Sequence, residues 1–129
     1  MELPTPISDE LEYCLSLSIS KVKTIPEIHI HLDMVASAQA NLNTQRLEFS
    51  FALAHIQAES RAVERTVRTD NAGEKVTAQT RKLKTDTAYV NHNKNAELLT
   101  ALIAYCDTAQ NLLESKAFNL RMLLKERHA

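Results

Sequence analysis

The chain has 129 residues, which is enough for one domain, and its formal net charge is −1 at pH 7. This charge argues against a protein that coats nucleic acid with its whole surface, although a local basic patch remains possible. One glycine, three prolines and no tryptophan are typical of a helical rod or bundle, and no apolar run approaches the roughly 20 residues that span a bilayer.

Residues 1–26 are expected to form a short, acidic and partly irregular N-terminal segment. Ser8 is followed by two acidic residues, which is typical of a helix N-cap and first turn. Further on, three apolar residues alternate with serines in a strand pattern: Leu15, Leu17 and Ile19. We therefore predict a short helix that leads into a brief extended segment, and we expect Pro26 to close it.

A proline-free stretch follows, from Glu27 to the end of the chain. Apolar residues seven positions apart predict one long helix, which begins at about residues 28–33 and ends near Thr69. The members of this stripe are Val35, Leu42, Phe49, Ile56 and Val63. Two long helices and little else cannot enclose a core, so we expect the chain to work by associating with other copies or a partner.

Residues 69–74 contain the clearest turn signal, because Asn, Asp and Gly73 tolerate the positive φ that a chain reversal needs. Residues 76–95 are weakly apolar and rich in threonine, which indicates either a looser helix or partial disorder. From Ala96 to about Arg127 the helical pattern is strong, with a second stripe at Leu99, Cys106, Leu113 and Leu120. The predicted fold is all-α: a long helical hairpin over residues 27–129 that assembles into a homo-oligomeric ring or barrel.

Basic residues concentrate on both sides of the turn. Arg61, Arg65 and Arg68 stand at i, i+4 and i+7 and form one ridge opposite the apolar stripe. Further basic residues follow the turn: Lys75, Arg81, Lys82 and Lys84. Seven basic and three acidic residues lie between positions 61 and 84, and such an excess can hold a phosphate backbone in a salt-dependent way. The alternative is a solvated helix face with i,i+4 ion pairs, and only one aromatic residue, Tyr89, lies nearby.

No motif predicts catalysis. His29, His31 and Asp33 would present three metal ligands on one side of a strand, but on a helix they would diverge and serve as ordinary polar residues. The two cysteines are far apart and lack CxxC spacing, which favours a reducing compartment without disulfides. We therefore expect no enzyme activity, no metal and no cofactor.

A family resemblance lies in the C-terminal residues. Residues 97–106 read Glu-Leu-Leu-Thr-Ala-Leu-Ile-Ala-Tyr-Cys, and after eight residues comes Ser-Lys-Ala-Phe at 115–118. This cassette resembles the recombination mediator proteins of T-even-type phages, the UvsY family, which also have a long upstream helix and a basic region with a glycine-containing turn. The chain departs from that family by its slightly acidic charge and by lacking the Lys-Ala-Arg-Leu-Asp-Tyr-Tyr run before the turn.

The resemblance implies a ring of six to eight subunits that binds single-stranded DNA, helps displace the single-strand-binding protein and loads a RecA-like recombinase, in the cytoplasm of a bacterial host. The basic ridge would face the DNA, with no membrane contact. The packed residues of the assembly helix would be Leu99, Leu102, Cys106, Leu113, Phe118, Leu120 and Leu124. The alternative is a small phage-type helical interaction protein, namely an inhibitor, an adaptor or a structural coiled-coil subunit, that binds no nucleic acid.

Overall fold

The structure is a computed structural model and describes residues 8–128. It is all-α and contains a long helix pair, as predicted, and residues 8–128 include no strand. In chain order the helices are α1 (Asp9–Ser16), a single 3₁₀ turn (Ile19–Lys21), α2 (Ile25–Asp70), α3 (Val76–Thr85) and α4 (Thr87–His128).

The chain forms two compact units, and the division between them falls within the long helices. Unit 1 contains the described residues up to 47 and from 102 onwards, and unit 2 is Glu48–Ala101. Each unit therefore has one short helix, α1 or α3, together with a portion of α2 and a portion of α4.

The first helix of unit 1 begins as predicted. The hydroxyl of Ser8 accepts the backbone N–H of Leu11 at 3.2 Å, which satisfies one of the free donors at the N-terminus of α1. Leu11, Cys14 and Leu17 are buried, and the Lys116 ammonium group of α4 donates to the carbonyl of Leu17. Their burial fixes α1 on the long helices of this unit.

The expected extended segment is absent. The alternation of Leu15, Leu17 and Ile19 with serines predicted a strand, but Leu17 ends α1 and Ile19 begins the 3₁₀ turn. Helical burial spacing at Leu11, Cys14 and Leu17 overrides the local alternation, because an isolated strand would have had no partner for its backbone groups. The irregular backbone expected at residues 4 and 6 lies outside the described residues.

Helix α2 begins earlier than predicted, at Ile25, so Pro26 stands in its first turn. Proline is tolerated there because its missing N–H would have had no intrahelical partner. The Thr24 hydroxyl accepts the N–H of Glu27 at 3.3 Å, and the Glu27 carboxylate accepts the N–H of Lys23 at 3.1 Å. Pro26 thus opens the long helix instead of closing the segment before it.

Within unit 1, α2 and α4 run antiparallel. The side-chain amide of Gln110 donates to the carbonyl of Gln39 at 2.9 Å, and Arg46, further along α2, pairs with Asp107, which is earlier on α4. The residues at the contact between the two helices are buried at the spacing of a heptad seam: Val35, Ala38 and Leu42 on α2, and Cys106, Ala109, Leu113, Ala117 and Leu120 on α4. The alanines permit close approach of the two helices.

Within unit 2, the core comprises Phe49, Ile56 and Leu99 of the long helices and Leu83 of α3. The hydroxyl of Ser60 donates to the side-chain oxygen of Asn93 at 3.0 Å, which joins α2 to α4 inside this unit. The weakly apolar stretch after the turn is helical: α3 ends at Thr85, and the polar run 91–95 belongs to α4, with positions 92, 93 and 95 half-buried. The break at Asp86 is a new N-cap, because its carboxylate accepts the N–H of Tyr89 at 3.0 Å.

The turn lies at residues 71–74, where the sequence predicted it, but no residue among 8–128 has a positive φ. The expectation that Gly73 supplies one is wrong. Side-chain hydrogen bonds hold the reversal instead. The buried amide of Gln79 donates to the carbonyls of Asn71 at 3.0 Å and Glu74 at 3.1 Å, and the amide of Asn71 donates to the carbonyl of Val67 at 2.7 Å.

Both apolar stripes are buried within a single chain, apart from Val63 at the end of the first stripe, which is half-buried. Leu99, Cys106, Leu113 and Leu120 are each 0% exposed, and Val35, Leu42 and Phe49 are each 1% exposed. The premise that two long helices could not cover these stripes without another copy is therefore wrong. The helices cover each other's stripes, and the short helices supply further buried residues such as Leu11 and Leu83.

Candidate nucleic-acid interface

Two of the seven predicted DNA-binding residues stand on an exposed part of α2 in unit 2. Arg61 and Arg65 lie one helical turn apart, both are exposed, and neither makes an ion pair with any residue of 8–128. Two unpaired guanidinium groups on one helix face can each donate several hydrogen bonds to phosphate oxygens. They form the best-defined cationic feature of this unit.

Two other predicted cations are already paired within unit 2. The Nε of Arg68 lies 3.2 Å from Oε1 of Glu64, and the Arg68 side chain is only 35% exposed. The Nζ of Lys82 lies 2.6 Å from Oε1 of Glu74 and 2.7 Å from Oδ1 of Asn71. A phosphate would have to compete with these carboxylates, so Arg68 and Lys82 are weaker candidates than Arg61 and Arg65.

The three remaining predicted cations belong to α3 and its N-cap. Lys75, Arg81 and Lys84 are exposed, whereas Gln79 and Leu83 of the same helix are buried. Arg81 stands about 160° around the helix from Leu83 and so faces solvent. These residues extend the cationic character of unit 2 on a second helix.

An exposed aromatic residue, which the sequence reasoning missed, precedes the two arginines on α2. Phe51 is 68% exposed, whereas Phe49, two positions earlier, is 1% exposed. At 100° per residue the two side chains stand about 160° apart around the helix, so the burial of one predicts the exposure of the other. The heptad stripe could have predicted the exposure of Phe51, because it includes Phe49 and leaves Phe51 on the opposite side of the helix.

Two small side chains lie on the same face of α2 between the aromatic ring and the cations, with the exposed His55 at its edge. Ala54 and Ala58 are exposed, and they follow Phe51 at the spacing of adjacent helical turns. We call the face formed by Phe51, Ala54, Ala58, Arg61 and Arg65 the α2 outer face. It has an apolar end and a cationic end, and all of it belongs to unit 2.

The predicted oligomerisation residues are mostly interior. Leu99, Cys106, Leu113 and Leu120 are buried, and Leu102 and Leu124 are half-buried, so this stripe is covered within the chain. Phe118 alone among the seven is largely exposed, at 59%. It belongs to unit 1 with Met122, one turn further along α4, which is 43% exposed.

The three potential metal ligands near the start of α2 are helical and diverge. The ring of His31 is engaged on both sides: Nδ1 lies 2.7 Å from the carbonyl of Glu27, and Nε2 lies 2.9 Å from the hydroxyl of Tyr13. His29 and Asp33 are exposed on α2. No group of three metal-ligating side chains occurs within the part of the chain that the structure describes.

Both cysteines are buried free thiols in unit 1. Burial raises the pKa of the Cys14 thiol, and the nearby Glu10 carboxylate raises it further. Burial likewise raises the pKa of the Cys106 thiol, with a smaller contribution from Asp107. A raised pKa disfavours the reactive thiolate, so these residues act as small core side chains.

Comparison with known proteins finds no matching family model, no similar curated protein and no similar solved structure. None of the helices within residues 8–128 combines the length and the hydropathy that a membrane span requires. The functional assignment therefore depends on the geometry of the exposed surfaces.

Proposed function

We propose that this chain binds single-stranded DNA through the α2 outer face of unit 2. The observation that supports this proposal best is the pair Arg61 and Arg65, which are exposed, adjacent on one helix face and without a carboxylate partner among residues 8–128. Their guanidinium groups would contact phosphates, and the exposed cations of α3 would add a weaker, longer-range attraction.

We further propose that the chain acts as a recombination mediator, as its C-terminal cassette resembles that of the UvsY family. In this role, copies of the chain would assemble on single-stranded DNA, help displace the single-strand-binding protein and load a RecA-like recombinase. Because the heptad stripes are covered within each chain, self-association would use exposed apolar residues such as Phe118 and Met122 of unit 1.

The test is the affinity of the purified chain for a fluorescently labelled oligo-dT strand, measured by fluorescence anisotropy at low salt. Arg61→Ala and Arg65→Ala are each expected to weaken binding about two- to fivefold, since one exposed ion pair contributes up to about 1 kcal/mol. Arg68→Ala and Lys82→Ala are the matched controls, because their charges are already paired. Equal effects of all four variants, or no binding by the unmodified chain, would contradict the proposed site.

A second candidate function is a helical adaptor that binds a partner protein and no nucleic acid. It is favoured by the exposed Phe118 and Met122 on α4, with Arg121 exposed beside them. Such a pair at i and i+4 on a helix is a common anchor for a partner surface. The adaptor function predicts no affinity for oligo-dT at low salt, so the same anisotropy titration distinguishes the two candidates.

A further inference from the structure

Phe51 is the more exposed of the two phenylalanines of α2, at 68%. A phenyl ring carries a large apolar surface and is usually buried, so its exposure on the helix face that also carries Arg61 and Arg65 points to a ligand that covers it. Nucleic-acid bases are such ligands, because every base has a π face that stacks on an aromatic ring. We propose that Phe51 is a base-stacking residue of the α2 outer face.

The positions along α2 suit a strand that contacts both ends of this face. Phe51, Ala58 and Arg65 are seven residues apart, so they lie within about 20° of one line along the helix. The rise from Phe51 is about 15 Å to Arg61 and about 21 Å to Arg65. At the stacked spacing of about 3.4 Å per nucleotide, the longer span corresponds to about six nucleotides, and to fewer in an extended strand.

Two of the residues between Phe51 and the two arginines have short side chains that project little from the helix. Ala54 and Ala58 carry only a methyl group and both are exposed, whereas the exposed His55, one turn after Phe51, stands at the edge of this face and pairs with Glu59. A single strand can therefore lie close to the helix. One of its bases would stack on Phe51, and phosphates further along the strand in either direction would contact Arg61 and Arg65. Longer side chains at 54 and 58 would hold the backbone away.

This arrangement selects a class of substrate. A base that stacks on an exposed ring must leave its own helical stack, which costs less free energy in a single strand than in a duplex, where its base pair must also break. The α2 outer face is thus a site for unpaired, base-bearing strands. This inference rests on the proposed function, because it assigns the apolar end of the site whose cationic end binds phosphates.

The experiment compares two labelled strands of equal length and charge: an oligo-dT and a strand of abasic spacers. The unmodified chain is expected to bind oligo-dT at least about fivefold more tightly than the abasic strand, as stacking on one aromatic ring provides. Phe51→Leu keeps an apolar side chain but removes the π face. It should abolish this preference while leaving the affinity for the abasic strand unchanged.

Two controls make the readout specific. Phe51→Tyr keeps an aromatic face and should retain the preference, and Leu98→Ala removes another exposed apolar side chain of unit 2 and should leave it unchanged. If Phe51→Leu keeps the full preference, or if the unmodified chain binds both strands equally, Phe51 does not stack on bases although the phosphate site stands. If the unmodified chain binds neither strand at low salt, the proposed function itself fails.

Discussion

Truncation of Leu113 should destabilise the single folded chain, whereas the same change at its neighbour should not. Leu113 is 0% exposed within unit 1, and Leu112 on the same helix is 49% exposed. Leu113→Ala removes a fully buried side chain and leaves a cavity between rigid helices, which costs about 2–5 kcal/mol. Leu112→Ala is a matched control, with the same substitution one residue away, and should cost less than about 1 kcal/mol.

The assay is thermal unfolding followed by circular dichroism, at several protein concentrations. A loss of about 3 kcal/mol in a chain of this length lowers Tm by about 10 °C. The shift should not depend on concentration if Leu113 packs within its own chain, because only association makes Tm concentration-dependent. Equal shifts for the two variants would refute the burial argument. A concentration-dependent loss confined to Leu113→Ala would show that this stripe packs between copies instead.

Three further predictions concern the turn, the cysteines and an exposed ion pair. Gly73→Ala should stabilise the chain by about 0.4–1 kcal/mol in urea unfolding, because Gly73 has no positive φ and an added Cβ would meet nothing within 4 Å; a loss of stability would contradict this backbone. Cys14 and Cys106 should resist iodoacetamide until denaturant is added, and rapid labelling of the native chain would argue against their burial. The free energy of unfolding should fall as pH rises above about 8.5. The reason is that burial raises the pKa of both thiols in the folded chain, so the thiols of the unfolded chain ionise first. Arg46→Ala should lower the free energy of unfolding only slightly, and by less in high salt, because its partner Asp107 is exposed. A large, salt-insensitive loss would mean that the pair is desolvated.

The sequence predicted the long helices because their apolar periodicity extends over many turns, and a pattern of that length leaves little ambiguity. Stripe residues such as Leu42 and Leu113 are buried where the heptad places them. The same pattern could not say whether the covering helix belongs to the same chain, because a heptad seam has the same spacing in either case. That choice depends on the turn and on α1 and α3, whose packing depends on contacts between residues distant in sequence.

Predictions from single residues were less reliable where another side chain makes the interaction that the local sequence was expected to make. Gly73 indicated a turn correctly, but the amide of Gln79 satisfies the turn carbonyls, so a positive φ is unnecessary. The spacing places Arg61, Arg65 and Arg68 on one ridge and leaves i,i+4 ion pairs open, but it does not say that Glu64 pairs with Arg68 while Arg61 and Arg65 have no ion pair within residues 8–128. Charge counting along a sequence cannot distinguish paired from unpaired cations, and this distinction defines the candidate site.

The measurement that tests the proposed site most directly is the salt dependence of oligo-dT binding by the unmodified chain and by the double variant Arg61→Ala/Arg65→Ala. Each phosphate contact on a single strand contributes about 0.7 to the slope of log affinity against log salt concentration. We expect the double variant to lose about 1.4 from that slope, as two phosphate contacts disappear. An unchanged slope would mean that Arg61 and Arg65 contact no phosphate and that the α2 outer face is not the DNA-binding site.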